Sequence, residues 1–427
     1  TPILSGLVGS EMCIRDRAIS IINLNIEGKM KNILRILFYL SLFFLVAFEG
    51  GHGSENKKKQ NYFFKETISR AVLENYLARS ATIASLLHFT LDDDLRMIQN
   101  TGVKFAGRVI WMWGGESKID VLIKKGVPFV KRIHQIDPEI ILQGALFEII
   151  TTDVNNVEIP AEVFKEFGLN PENRNFEYEK MIYPFGRRVN HWGKGASVPD
   201  MSRTETKMWF FYVAKRWIDM GLEAIHFGQV EIMDDRDMSH IHWRDMMARI
   251  RSYAKSNARR NLILCDAHVP SGGIVHNGKL MFDLHSFPSR PKSLKGQPHK
   301  AILEKGFSDS IYGRSAGGTT PSGWACESLP YIVEIDNFGN SDHTGKFSES
   351  DKIHVWGWDE INWFINQSES YRNKWLEYAY NWVRVNDSNG YFQLPLRRFQ
   401  HYSASMTPPK GKRQEDTIKQ IWQNLDR

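Results

Sequence analysis

Carboxylates and histidines recur at one kind of place in this sequence, where an apolar, strand-like run ends. "LFEII" (146–150) carries Glu148, and "IHFGQVE" (225–231) carries Gln229 and Glu231. "LCDAH" (264–268) carries Asp266 and His268, "FDLH" (282–285) carries Asp283 and His285, and "YIVEIDN" (331–337) carries Glu334, Asp336 and Asn337. A buried carboxylate is costly unless it is paired or used. One such acid reads as a helix cap or as the partner of a loop arginine. Five successive strand ends that carry acids or histidines read instead as one shared polar site.

Residues two apart on a strand share a face. "DAH" and "DLH" therefore also read as a mixed nitrogen and oxygen ligand set for Zn, Mn or Mg, made of Asp266, His268, Asp283 and His285 with Glu148 and Glu231 nearby. Such a metal generates a nucleophile or polarises a carbonyl. Asp234, Asp235 and Asp237 follow the fourth run and read as loop or helix-cap residues. Asp92 to Asp94 read as the acidic first turn of a helix, with His88 just before them.

The chain is rich in aromatic residues, with 13 Trp, 14 Tyr and 25 Phe. Trp209, Trp217, Trp375 and Trp382 have helical spacing and belong to a core. Trp111 and Trp113 end the second strand and Trp192, Trp324, Trp356 and Trp358 fall in loops, positions off the helix faces where a flat ring suits stacking against a sugar. The Gly-rich loop "YGRSAGGTTPSGW" lacks the Lys-Ser/Thr ending of a phosphate loop. Its Arg314 suits an anionic group such as a uronate or sulfate.

The elements that must position these groups alternate. Strands are expected at 81–89, 105–113, 140–150, 222–231, 261–269, in the second half of 274–287, at 330–338 and at 390–395. Helices are expected at 65–78, 91–102 (closing on Gly102), from Pro128 in a first turn to about Ile136, 240–258, 368–385 and near the C-terminus. Ser202 and Glu205 have capping-box spacing for another helix, which stops at Gly221. Asn277-Gly278 signals a hairpin. Eight strands with mostly helical connections and no dinucleotide glycine fingerprint imply an α/β fold, a (β/α)8 TIM barrel. It is expected as a single domain over 81–427 with a long loop insertion after strand 3.

"SEMCIRDR" (10–17) resembles translated sequencing-adapter sequence, so residues 1–29 are expected to be non-native. Residues 30–53 read as a signal peptide, with Lys31 and Arg35 before the apolar run Ile36 to Phe48. Residues 54–80 read as a linker and an N-terminal helix. The charge of +6 is not gathered into a stripe, so nucleic-acid binding is not expected. Beyond the adapter-like segment only Cys265 and Cys326 remain, which excludes a disulfide scaffold.

On these strand ends the chain resembles the secreted (β/α)8-barrel glycoside hydrolases, the clan with a Glu acid/base ending strand four and a Glu nucleophile ending strand seven. Glu231 and Glu334 fall on those strands. Val230 stands where that clan usually has Asn, and Asp336 shares a face with Glu334, so the second role is split between them. The resemblance implies an exported, cofactor-free hydrolase of poly- or oligosaccharides, secreted or periplasmic, with no stable membrane association after leader cleavage. Glu231 would be the acid and Glu334 or Asp336 the nucleophile or base. Glu148, Gln229, Asp266, His268, Asp283, His285, Asn337, Trp113, Arg314, Trp324, Trp356 and Trp358 would hold the carbohydrate. Two other classes stand beside it: a metal-dependent barrel hydrolase or sugar isomerase, and a non-catalytic glycan-binding barrel.

Overall fold

Apolar runs of four to nine residues alternate with amphipathic helices, and in the computed structural model these runs become one parallel sheet. It describes residues 60–84, 91–235, 237–294, 296–306, 315–336, 360–398, 401–407 and 411–426. The segment 1–59, with the adapter-like stretch and the apolar run, lies outside the described residues, as do His88, Arg314, Asn337, Trp356 and Trp358.

The sheet strands are β1 (Ser80–Ala84), β2 (Phe105–Ile110), β3 (Ile141–Ala145), β4 (Ala224–Gln229), β5 (Leu264–His268), β6 (His285–Pro288), β7 (Tyr331–Glu334) and β8 (Gly390–Arg398). They pair in the order β6-β7-β8-β1-β2-β3-β4-β5, every pair parallel. At the seam between β5 and β6 the Asp283 amide donates to Cys265 O at 2.9 Å. The Cys265 amide donates to Asp283 Oδ2, also at 2.9 Å. A carboxylate thus stands in for backbone where the barrel nearly closes.

Helices α1 (Arg70–Ala78), α2 (Leu91–Thr101), α3 (Ile119–Ile136), α4 (Ala161–Glu166), α5 (Thr204–Met220), α6 (Ile241–Asn257), α7 (Glu360–Ile365), α8 (Glu369–Asn386) and α9 (Glu415–Gln423) accompany the strands. Pro128 lies inside α3 rather than in its first turn. The polar run before it hid the earlier turns, whose buried face begins at Ile119 and Leu122. Ser202 and Glu205 form no capping box. Arg203 occupies the N-cap of α5 without a side-chain bond, and Glu205 accepts from Arg174 Nη1 at 2.7 Å and from the Glu177 amide at 3.0 Å. The Asn277-Gly278 turn does join an antiparallel ribbon, His276 facing Lys279. Asp237 covers the start of α6, accepting from the amides of Ile241 and His242. Among the described residues no helix is long and apolar enough to cross a membrane.

One end of the barrel is plugged. Tyr62, Phe64 and Ile68, with Leu73, Tyr76 and Leu77 of α1, pack on Phe105, Ile141, Ala224 and Leu264, which lie at the starts of β2 to β5. Each fully buried aromatic or aliphatic side chain there contributes about 1.5–3 kcal/mol. The carboxyl end of the strands is the end left for chemistry.

Three strands are irregular on the way to that end. Pairing shifts at Leu396 of β8, the extra residue opposite Thr82 and Ile83 of β1, between Ala106 and Ile110 in β2, and between His226 and Gln229 in β4. Bulges of this kind re-aim side chains. In β2 the bulged residue is Arg108, at φ 57°, and in β4 it includes Gly228, at φ 60°.

Candidate active site

Barrel interiors are usually filled by branched apolar layers. Here one layer is polar, and every strand contributes to it: Thr82, Arg108, Gln143, His226, Asp266, Ser286, Glu334 and Gln393, all buried. Thr82 Oγ1 donates to Glu334 Oε2 at 2.9 Å, and Gln393 Nε2 donates to the same oxygen at 2.9 Å. Arg108 Nη2 pairs with Glu334 Oε1 at 2.6 Å. The Arg108 amide donates to Gln143 Oε1 at 3.1 Å, and Gln143 Nε2 donates to Asp266 Oδ1 at 2.6 Å. Asp266 Oδ2 lies 2.8 Å from His226 Nδ1 and accepts from Ser286 Oγ at 2.7 Å. Gly107 makes room for this layer, because a Cβ there would come within 2.6 Å of the Gln393 amide. Buried polar groups need such partners, and the chain of bonds crosses the barrel.

Above the layer stand the groups at the strand ends. Asp336, two residues past Glu334, pairs with Arg108 Nη1 and lies 3.4 Å from Arg398 Nη2. Its amide donates to Glu360 Oε2 at 2.9 Å. Glu360 also accepts from the Arg290 amide at 2.7 Å and from Ser289 Oγ at 3.1 Å, tying the ends of β6 and β7 together. Burial alone would raise the Asp336 carboxyl, but the arginines, Arg108 first, hold it well below the usual carboxylate range.

Glu148 follows β3 and is buried. Its Oε2 accepts from the Gln229 amide at 2.9 Å, and its Oε1 contacts Gln229 Nε2 at 2.8 Å. Burial pushes the Glu148 carboxyl up, and the charge of Asp336 pushes it in the same direction. Phe147, next to it, packs edge-on to Trp111 and Trp113 with ring centres 5.4 and 5.7 Å apart. Trp192 meets Trp113 at 5.1 Å and donates from Nε1 to Glu148 O at 2.8 Å. Trp113 is held by these rings yet 44% exposed, which leaves an aromatic face open to solvent.

Other expected site residues lie elsewhere or do other work. Glu231 does not end β4: it sits in a single 3-10 turn, Val230–Met233, and its carboxylate accepts from Ser271 Oγ and the Ser271 amide. Asp283 precedes β6, and its carboxylate is committed to the seam and to Arg251 Nη2 at 3.0 Å. His285 begins β6, buried against Phe282 and Phe287. The sixth strand thus begins at His285 instead of ending there. Trp324 packs at the plugged end, where its Nε1 donates to Ile68 O at 3.0 Å. His268 does end β5, its Nε2 3.4 Å from Arg108 Nη2. Asp266, His268, Asp283 and His285 do not converge. Among the described residues no group of three or more His, Cys, Asp or Glu is arranged to hold a metal.

Sequence reasoning missed Arg108, His226, Arg398 and Glu360. The available signal was a charged or imidazole residue inside an apolar run, as in "FAGRVI" and "AIHFG".

No protein-family model matches the chain, and no curated protein matches it. A debranching enzyme from Nostoc punctiforme is similar in structure at TM-score 0.41 and 9% identity, over 85% of this chain and 81% of that one. A β-L-arabinopyranosidase from Geobacillus stearothermophilus is similar at TM-score 0.29 and 8% identity, over 50% of this chain and 54% of that one. An α-galactosidase from Thermus thermophilus is similar at TM-score 0.29 and 14% identity, over 44% and 38%. The chain thus spans about half the length of the arabinopyranosidase and less of the galactosidase. At these scores the likeness assigns no family.

Proposed function

We propose that the chain is a glycoside hydrolase working at the carboxyl end of its barrel, with Asp336 as the ionised carboxylate and Glu148 as the proton donor. One observation carries this reading. Two carboxyl groups at the same barrel end are driven in opposite directions, Asp336 down by Arg108 and Arg398, Glu148 up by burial and by Asp336 itself. Paired groups whose environments separate them in this way make an acid and a base.

In this reading Glu148 protonates the leaving glycosidic oxygen. Asp336 then attacks the anomeric carbon or activates a water, and the configuration of the first product tells which. The acid role falls to Glu148 rather than Glu231 because Glu148 is buried and feels the charge of Asp336, whereas Glu231 holds Ser271 in a half-exposed turn. Gln229 orients Glu148 through its backbone amide and its side-chain amide. Trp113 offers its open face to a sugar ring. Export, suggested by the apolar run Ile36 to Phe48, belongs to the same proposal.

The test is a screen of α- and β-linked oligo- and polysaccharides for reducing-sugar release, repeated with variants. Asp336→Asn and Glu148→Gln should each lower kcat by about 10²–10⁴-fold, while Glu231→Gln loses less than tenfold. Turnover that survives both of the first two variants would overturn the assignment. Turnover of no glycan in the screen would overturn the function.

A further inference from the structure

His226 is the one histidine in the polar layer, and its two ring nitrogens have opposite situations. Nδ1 lies 2.8 Å from Asp266 Oδ2 and 3.0 Å from Ser286 Oγ. Nε2 is buried and has no hydrogen-bond partner among the described residues. The ring is held edge-on between Phe147, with centres 5.6 Å apart, and His268, at 4.8 Å.

Burial pushes the Asp266 carboxyl up to about 6, and above that pH, with Asp266 ionised, counting protons fixes the tautomer. Asp266 Oδ1 accepts from Gln143 at 2.6 Å and Oδ2 from the Ser286 hydroxyl at 2.7 Å, so the single Ser286 proton is spent on Asp266. A bare Nδ1 facing Asp266 Oδ2 at 2.8 Å would set two lone pairs against each other. Nδ1 therefore carries the proton and donates it to Asp266. Nε2 is left with a lone pair. In a layer whose side chains are joined across the barrel, with Gln393 Oε1 also left open among the described residues, an unsatisfied buried acceptor marks the place of a missing donor.

The missing donor has a definite chemistry. Burial and the Arg108 guanidinium already hold the ring neutral against the opposing charge of Asp336, and a cation would share this space with that guanidinium. A carboxylate or phosphate oxygen would oppose the lone pair. A neutral hydroxyl fits. Resting on the sugar-site reading above, we infer that His226 Nε2 accepts a hydrogen bond from a hydroxyl group of the bound sugar. Asp266, Ser286 and Gln143 act behind it as positioning residues that fix the acceptor tautomer.

The experiment uses the full chain labelled with 15N-histidine, with D-glucose, D-galactose, D-mannose and D-xylose as probes. Without sugar, one histidine should show a protonated Nδ1 and a bare Nε2, and that signal should be missing in His226→Asn. At least one of the sugars should move it saturably. That sugar should bind His226→Asn about tenfold more weakly, the loss of one hydrogen bond. Asparagine keeps a donor for Asp266 at the place of Nδ1, so folding and thermal stability should be retained. His226→Gln, whose amide oxygen reaches the place of Nε2, should recover part of the affinity, and it serves as the second variant should His226→Asn fail to fold. A protonated Nε2, a sugar that binds without moving the signal, equal affinity in His226→Asn, or no response to any of the four sugars would each overturn the inference. A response without hydrolysis of any glycan would leave this inference standing and remove the hydrolase. Hydrolysis unchanged in His226→Asn would do the reverse.

Discussion

A Cβ atom on Gly228 would lie 2.0 Å from Glu148 Oε2. The glycine sits at φ 60° in the bulge of β4, and its missing side chain is what lets the Glu148 carboxyl reach the Gln229 amide. Gly228→Ala should therefore be hit twice. The left-handed backbone alone costs about 1–2 kcal/mol for a residue with a Cβ, and Glu148 is displaced as well. Chemical denaturation should show the stability loss and a glycan assay the loss of turnover. Gly278, at φ 72° with nothing within 4 Å of its Cβ position, is the control. Gly278→Ala should cost only the backbone term and leave turnover intact.

The opposite drives on Glu148 and Asp336 set the expected pH profile. The acid must be protonated to work, and burial raises the Glu148 carboxyl, so kcat/KM should fall as pH rises through its elevated pKa. Asp336 must be ionised, and Arg108 and Arg398 hold it so far down that activity should persist at acidity where an ordinary aspartate protonates. A rate profile from about pH 2.5 to 9, which passes below the ordinary aspartate value of 3.8, checks both limbs. An alkaline limb that is unchanged in a residually active Glu148→Gln enzyme would remove Glu148 from the acid role.

Arg108 is a buried cation between two carboxylates, 2.6 Å from Glu334 and paired with Asp336. Removing one partner of a buried ion pair leaves an uncompensated charge, at a cost of about 3–5 kcal/mol. Arg108→Met should destabilise the fold by that order in urea unfolding. Arg108→Met with Glu334→Gln should recover part of the loss, since one of the stranded carboxylates is gone. Equal stability of the single and double variants would show that the stranded Glu334 charge is not what costs Arg108→Met its stability.

How far the site was legible follows from the same residues. The strand ends were readable because alternation and turn residues mark them: His268 ends β5 as read, while Glu148 and Asp336 lie three and two residues past the ends of β3 and β7. The period of two also placed Glu334 and Asp336 on one face. It could not tell that Glu334 sinks into the layer with Thr82 and Gln393 while Asp336 stands above it, because that depth depends on the neighbouring strands. Arg108 was invisible for a different reason. Its left-handed backbone has no local cause, and the contacts around it with Glu334, Asp336 and Gln143 come from distant parts of the chain. Trp324 was misassigned although its topology was available: its loop precedes β7, so it lies at the plugged end of the barrel.

Asp234 offers a test outside the site. It is buried, its carboxylate lies 3.2 Å from His240 Nδ1, and burial with the nearby Asp237 and Asp200 charges pushes it up to about 8. An aspartate in the unfolded chain titrates near 3.8. Between those two values the folded chain holds a proton that the unfolded chain has released, so the linkage slope is negative and stability falls as pH rises. Glu360, pushed up to about 7, acts in the same direction. His285, held down to about 4 by burial, acts in the opposite direction below its ordinary value of 6.5, because there the unfolded chain binds the extra proton. Above pH 6.5 the carboxyl groups therefore dominate, and stability should decline from about pH 6.5 to 8. Asp234→Asn removes its share of that slope. Its stability relative to the native chain should rise across pH 6 to 8 and then level off, measured by urea unfolding at each pH; parallel curves for the two proteins would show that Asp234 is ionised in the fold throughout.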